Sequence, residues 1–382
     1  MATDALIVDA VRSPIGRRNG TLSSIRGDEL AAQVINGLLA RNDVDPAEVE
    51  DVQMGCVTQI GEQGWNIARM AALVAGWPET VCGTTVDRQC GSSMQTNMNA
   101  ACAVWAGQQD LVVSAGVEMM SRVPMGSNGG DLSDKLLDKW EIVPQGISAE
   151  AIAREWGLSR EQLDAYSLES HRRAIAASDE GRFEDEIVPI DLTNPHLGTI
   201  FAVDEAPRRE TSAEALAGLK PAFIPDGVVT AGNSSQIVDG AAAVLIASEW
   251  KASELGLEPR ARFVSFGLAG VDPYRMLHGN PQACERALAK AGLAWDDISV
   301  IEVNEAFASV ALQFLADTGL GERVGDVNPN GGGISLGHPL GATGARITAT
   351  LINELERRDA RYGIACMCIG FGQAIAAVIE RL

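Results

Sequence analysis

The chain has 382 residues, 46% hydrophobic and 21% charged, long enough for two or three domain-sized units around a large core. Its 51 acidic residues against 30 basic ones leave a net charge of −21. That balance argues against nucleic acid or an anionic membrane as partner, since both need basic patches, and it requires a locally positive pocket for any anionic substrate. No apolar run approaches the roughly 20 residues of a membrane-spanning helix. The opening Met1-Ala2-Thr3-Asp4-Ala5-Leu6 lacks the basic segment and apolar core of a secretory signal, so a cytoplasmic location is expected. Seven cysteines (Cys56, Cys82, Cys90, Cys102, Cys284, Cys366 and Cys368) form no disulfide-framework spacing and are expected to be reduced. The four histidines form no H-E-x-x-H pattern and Cys366-Met367-Cys368 has no second pair, so no metal site is expected.

In chain order, the hydrophobic pattern predicts a strand over 6–10, a helix over 29–40, a strand over 52–56 and a helix over 65–75. A strand over 85–87, a helix over 93–106 and a strand over 111–115 follow. Residues 119–240 are richer in charge, proline and turns, as at Ser127-Asn128-Gly129-Gly130 and Thr193-Asn194-Pro195. This stretch is predicted to carry helices over 148–156 and 160–178 and a loop over 204–209. An insertion of this size on a core usually covers a site. Alternation then resumes: a strand over 263–268, a helix over 281–291, a strand over 298–303, helices over 306–316 and 341–354, and strands over 364–368 and 374–379. Strands alternating with helices argue for an α/β layered architecture. Val52 to Cys90 and Val300 to His338 span the same 38 positions, which predicts two duplicated halves with Cys90 and His338 at equivalent places before a helix.

Four segments carry chemistry. In Val86-Asp87-Arg88-Gln89-Cys90-Gly91-Ser92-Ser93 a thiol sits where a strand breaks into a helix, close to unpaired N–H groups and a dipole that favour the thiolate. A free cysteine alone is more often a core residue. The stretch from Val327 to Gly344 places His338 between Gly337 and Pro339 at a helix entry, where an imidazole can take the proton of a nearby thiol. It lacks the ending of a phosphate loop. Cys366-Met367-Cys368-Ile369-Gly370-Phe371-Gly372 reads as a strand and tight glycine turn: either a hairpin with buried thiols or a turn whose N–H groups face a developing oxyanion. Asn304 and Glu305 end an apolar strand in Glu302-Val303-Asn304-Glu305-Ala306-Phe307-Ala308, fitting a site or a helix cap equally.

These segments, in this order, resemble the thiolase superfamily, as do Ala115–Ser121 and Thr230-Ala231-Gly232-Asn233-Ser234-Ser235, and the resemblance covers essentially the whole chain. It implies duplicated βαβαβ halves in a layered α-β-α-β-α core: residues 1–118 plus 241–260, an inserted loop domain over 119–240 covering the coenzyme A site, and a second half over 261–382. It implies cleavage of a 3-oxoacyl-CoA by CoA through an acyl-cysteine, with coenzyme A as substrate and no separate cofactor. Cys90 matches the nucleophile, His338 the histidine that activates it, and Cys368 the acid/base for the leaving enolate and incoming thiol. By the same resemblance Asn304, holding a water, acts with His338 in one oxyanion site, and the N–H groups of Cys90 and Gly370 form the other. Ser235, Ala231, Ala306 and Phe307 match pantetheine contacts, Arg208 an arginine near the adenine and phosphates, and Leu219 and Phe223 apolar walls around the nucleotide. A homodimer or homotetramer is implied as well.

The chain departs from the family pattern at a few places. Ser93 stands where this turn usually ends in glycine, Asp87 where asparagine is usual, and Phe371 and Ala374 where many members have glycine. Pro144-Gln145 replaces a His/Met-type pair that often lines the acyl pocket. No catalytic group is lost, and the pocket is expected to suit a larger or branched acyl chain, of fatty-acid or steroid side-chain type, in the degradative direction. The alternatives are biosynthetic condensation of two acetyl-CoA and a non-catalytic acyl-CoA-binding protein on the same fold.

Overall fold

The computed structural model describes residues 3–192 and 200–382; the turn expected at Thr193-Asn194-Pro195 lies outside the described residues. The first half runs β1 (Ala5–Arg12), α1 (Gly27–Arg41), β2 (Asp51–Gly55), α2 (Ile67–Val74), β3 (Cys82–Val86), α3 (Ser92–Trp105) and β4 (Leu111–Met119). The intervening stretch carries α4 (Gln145–Glu155) and α5 (Arg160–Asp179), and the chain returns to the sheet as β5 (Val238–Ser248). The second half runs β6 (Ala261–Gly270), α6 (Asn280–Ala291), β7 (Val300–Val303), α7 (Ala308–Thr318), α8 (Thr343–Arg357), β8 (Tyr362–Ile369) and β9 (Gln373–Arg381).

Among the described residues these strands lie in the order β7-β8-β9-β6-β1-β5-β4-β2-β3. The order repeats about the centre. In the first half β1, β5 and β4 pair antiparallel, and β4, β2 and β3 parallel. In the second half β6, β9 and β8 pair antiparallel and β8 and β7 parallel, and a parallel bridge from Ile301 to Val327 stands where β3 would be. The halves meet edge to edge through two pairs, Leu6 with Arg262 and Ile7 with Ala261.

Helices α3 and α8 pack on one another and on strands of both halves, α1 and α2 cover the outer face of the first half, and α6 covers that of the second. The result is the five-layer α-β-α-β-α arrangement. One apolar cluster fills each gap beneath the outer helices, and a third surrounds α3 and α8. A helix enclosed on every side must be built from residues that tolerate burial all round. In α8 every residue from Thr343 to Ile352 is buried. Gly344 lets its backbone seat directly on α3: a Cβ there would lie 2.1 Å from the backbone nitrogen of Met94.

The inserted stretch is tied to β1 by charge. Arg12, fully buried, donates to Glu186 at 2.5 Å and to both oxygens of Asp204 at 2.7 and 2.9 Å. Removing either carboxylate would leave the buried guanidinium with only part of its hydrogen-bonding and charge partners, which is why such clusters hold segments in place even when their net contribution to stability is small. No described helix is long and apolar enough to cross a membrane, and no described group of His, Cys, Asp and Glu could hold a metal ion.

Candidate active site

The elbow before α3 is held by short-range bonds. Gln89 adopts φ +46, a left-handed conformation that costs a non-glycine residue about 1 kcal/mol or more. The Asp87 carboxylate accepts the Gln89 N–H at 2.6 Å, and the Ser92 hydroxyl donates to the Gln89 carbonyl at 2.5 Å. Asp87, one of the departures from the family pattern, therefore braces the strained residue. Ser93, another, accepts the N–H of Ala345 at 3.0 Å and stitches the start of α3 to the first turn of α8. Beyond the elbow, Gly370 lies against the Gln89 side chain: a Cβ there would lie 2.2 Å from Gln89 Oε1 and would push that amide aside. Phe371 takes φ +59 in the same turn, the conformation that glycine would adopt freely.

Cys90 is only 2% exposed and belongs to the apolar cluster around α3 and α8. Its sulfur meets the N–H groups of Cys90 itself and Gly370, and the Gln145 amide lies 4.0 Å away. The elbow alone argues for a thiolate, but burial outweighs these donors, and with the charge of Glu118 adding to it the thiol is pushed up to about 11. The expectation of a resting thiolate is thereby corrected: the sulfur rests protonated and needs a partner base. Cys368, fully buried on β8, is pushed well above its ordinary value by burial first and by proximity to Cys90 second.

His338 supplies a nitrogen suited to accept a proton. The Thr343 hydroxyl donates to the Pro339 carbonyl at 2.9 Å, so its oxygen accepts the His338 Nδ1–H at 2.6 Å. Nε2 is then the unprotonated nitrogen, and the Asn304 amide donates to it at 3.2 Å. Burial, helped by the Arg346 charge, lowers His338 to about 3 and keeps the imidazole neutral. Glu118 ties the two halves of the site together. It is fully buried at the end of β4 and accepts from the N–H groups of Val57, Thr58 and Gly341 and from the Gln63 amide.

A cavity of about 580 Å³ leads to His338. Gln145, Ala231, Ser235, Phe223 and Phe307 line it, with Met120, Met125, Ile237 and Leu340, and Arg17, Arg18 and Arg208 stand among the lining residues. The rings of Phe223 and Phe307 meet edge to face at 5.9 Å. Ala306 is buried, and its carbonyl accepts the Ser235 N–H at 2.9 Å. Leu219 lines a smaller cavity of about 220 Å³ that shares Arg208 and Ala231. The structure thus places Cys90 beside Gly370, Cys368 and Gln145, and Asn304 against His338, with Gln145 and His338 both lining the cleft. Arg208, Phe223, Ala231, Ser235 and Phe307 lie along its walls, whereas Leu219 lines the smaller cavity and Ala306 lines neither. Arg17 and Arg18 escaped the sequence reading, although adjacent arginines in a Gly-Arg-Arg-Asn-Gly turn are conspicuous in so acidic a chain. With Arg208 they form no ion pair among the described residues and supply the local positive charge that the composition demanded.

A layered α/β core with a buried cysteine and a cleft lined by a neutral histidine and by the glutamine that reaches the cysteine is the arrangement of an acyl-transferring enzyme. The family model described as Thiolase, N-terminal domain matches residues 5–250, and that described as Thiolase, C-terminal domain matches 257–381. A 3-ketoacyl-CoA thiolase of Photobacterium profundum is 45% identical over 386 residues, covering 99% of this chain and all of that one. One from Idiomarina loihiensis is 48% identical with the same coverage. The crystal structure of the Bacillus anthracis acetyl-CoA acetyltransferase superposes with a TM-score of 0.92 at 41% identity, covering 100% of this chain and 99% of that one. The chain belongs to the thiolase family.

Proposed function

We propose that this acyltransferase cleaves 3-oxoacyl-CoA with CoA, yielding acetyl-CoA and a shortened acyl-CoA, through an acyl group carried on Cys90. The observation that carries the reading is that Gln145, whose amide reaches the Cys90 sulfur, and His338, paired with Asn304, line one arginine-bearing cleft, while Cys368 lies close to Cys90. The Cys90 proton passes to His338 Nε2 as the sulfur attacks the 3-oxo carbon. The bond between C2 and C3 breaks, its electrons form the acetyl-CoA enolate, and Cys368 protonates that carbon. The Cys368 thiolate then takes the proton of the incoming CoA thiol, which attacks the acyl-enzyme and releases the sulfur of Cys90, to which His338 returns its proton. The N–H groups of Cys90 and Gly370 face one developing oxyanion, and Asn304 with His338 faces the enolate oxygen; each donor is worth about 3 kcal/mol. His338 resting neutral and Cys90 resting protonated suit a mechanism in which deprotonation accompanies attack.

The relatives named 3-ketoacyl-CoA thiolase support the degradative direction; a role in fatty-acid or side-chain β-oxidation in the cytoplasm, on a larger or branched acyl chain that the apolar cleft walls would accept, is proposed with it. Two copies are proposed to associate, since β3 lies at the sheet edge, pairs on one side only and is half-exposed, and α2 beside it exposes Leu73 and Val74. Intact-mass measurement after mixing with a 3-oxoacyl-CoA should show the acyl adduct. Cys90→Ala should abolish both adduct and thiolysis, with a loss of at least about 10⁴-fold. An adduct persisting in that variant would overturn the assignment.

A further inference from the structure

We propose that Gln145 is a further catalytic residue, a side-chain hydrogen-bond donor to the Cys90 sulfur that makes this thiol a better nucleophile than its enclosure allows. The proposal rests on reading Cys90 as the acyl carrier and adds a participant to that site. Gln145 is the first residue of α4 and is half-buried. It lines the same cleft wall as His338 and points its amide nitrogen at the sulfur from 4.0 Å.

The surroundings of the sulfur show why such a donor matters. The sulfur belongs to the apolar cluster around α3 and α8, whose side chains offer no strong hydrogen-bond donor. Of the ionisable groups that face it, the Glu118 carboxyl from β4 opposes a negative charge, Cys368 from β8 is held neutral, and His338 from the loop before α8 receives the proton. Among the described residues, the charge that builds on sulfur as the proton leaves is met by N–H groups: those of Cys90 and Gly370 from the backbone, and that of Gln145. An amide donates without bringing a charge that would itself have to be desolvated. Its contribution is greatest on the thiolate and falls once the sulfur is a neutral thioester, so it favours attack over the resting states on either side. A methionine here, as in the His/Met-type pair, would fill space without donating.

The test is the rate at which iodoacetamide alkylates Cys90 as pH is raised, read by mass spectrometry of the Cys90 peptide without acyl-CoA, in wild-type protein and in Gln145→Met and Gln145→Glu. Loss of a donor to a charged group should slow alkylation of Gln145→Met about tenfold at neutral pH and move its pH curve upward by about one unit. Gln145→Glu, nearly equal in size, should move it further because a carboxylate replaces the donor. Folding of each variant is checked by its unfolding midpoint, and either one suffices if the other does not fold. A folded variant whose alkylation curve overlays that of the wild type would overturn the proposal. Because the readout involves no thiolysis, that result is distinct from survival of the acyl adduct in Cys90→Ala, which would instead overturn the proposed function.

Discussion

The elbow before α3 and the loop before α8 occupy equivalent places in the two halves, yet they are built in opposite ways. The elbow is short and strained: Gln89 is held at positive φ by Asp87 and Ser92, and the thiol it presents is enclosed and protonated. The loop is long and glycine-rich. Gly337 at φ +90 lets the chain pass Val238, which a Cβ would approach to 2.4 Å, and His338 is oriented through both ring nitrogens. Duplication thus supplied two helix entries of one kind, and the sequence of each adapted it to half of a proton transfer. A similar contrast holds at the sheet edges, where β3 is a full strand in the first half and a single bridge at Val327 replaces it in the second.

The largest expected effect tests whether the second half truly supplies the base. His338→Ala should lower kcat for thiolysis by about 10²–10⁴-fold, and an unchanged rate would place the base elsewhere. Next is the acid side of stability. His338 sits near 3 in the folded chain against an ordinary 6.5, so below 6.5 the unfolded chain takes up a proton that the folded one refuses. Stability present at neutral pH should therefore drain away as pH falls from 6.5 towards 3, by at most about 1.4 kcal/mol per unit. His171, lowered to about 4 chiefly by burial, acts in the same sense. Denaturant titrations at several pH values should show a shallower loss in His338→Gln. The smallest effect concerns the stitch between the halves. Ser93→Ala leaves the buried Ala345 N–H without its acceptor and should cost about 1–3 kcal/mol, seen as a lower unfolding midpoint.

Much of this was legible because the informative residues lie beside strong local signals. Cys90, His338 and the Cys368–Gly370 turn each sit where an apolar run meets glycines, and the alternation of strand and helix over 6–115 and 263–379 gave the layered class. Boundaries moved where tertiary contacts prevail. The helix expected from 65 starts at Ile67, because Trp65 is at positive φ and Asn66 caps the turn by accepting the Arg69 N–H. That expected from 306 starts at Ala308, because Phe307 is extended and bridges to Ser234. Strand β3 begins at Cys82, ahead of the predicted 85, where pairing with β2 rather than propensity sets its start. Strand β5 was not anticipated at all. Buried on both faces, Val-Asp-Gly-Ala-Ala-Ala-Val-Leu-Ile-Ala-Ser shows no alternation to betray it. The approach of Gln145 to Cys90 joins positions 55 residues apart, and a polar residue opening a helix looks, in sequence, like any other surface position.

The edge-to-edge seam between the halves has a mechanical consequence. Only two ladder pairs, Leu6 with Arg262 and Ile7 with Ala261, join β1 and β6 among the described residues. Shear between the half-sheets therefore bears chiefly on α3 and α8, which touch both of them. These are also the helices whose first turns follow Cys90 and His338. A load that slid one half past the other would therefore reach the two helices whose first turns follow nucleophile and base, and would alter the spacing between them.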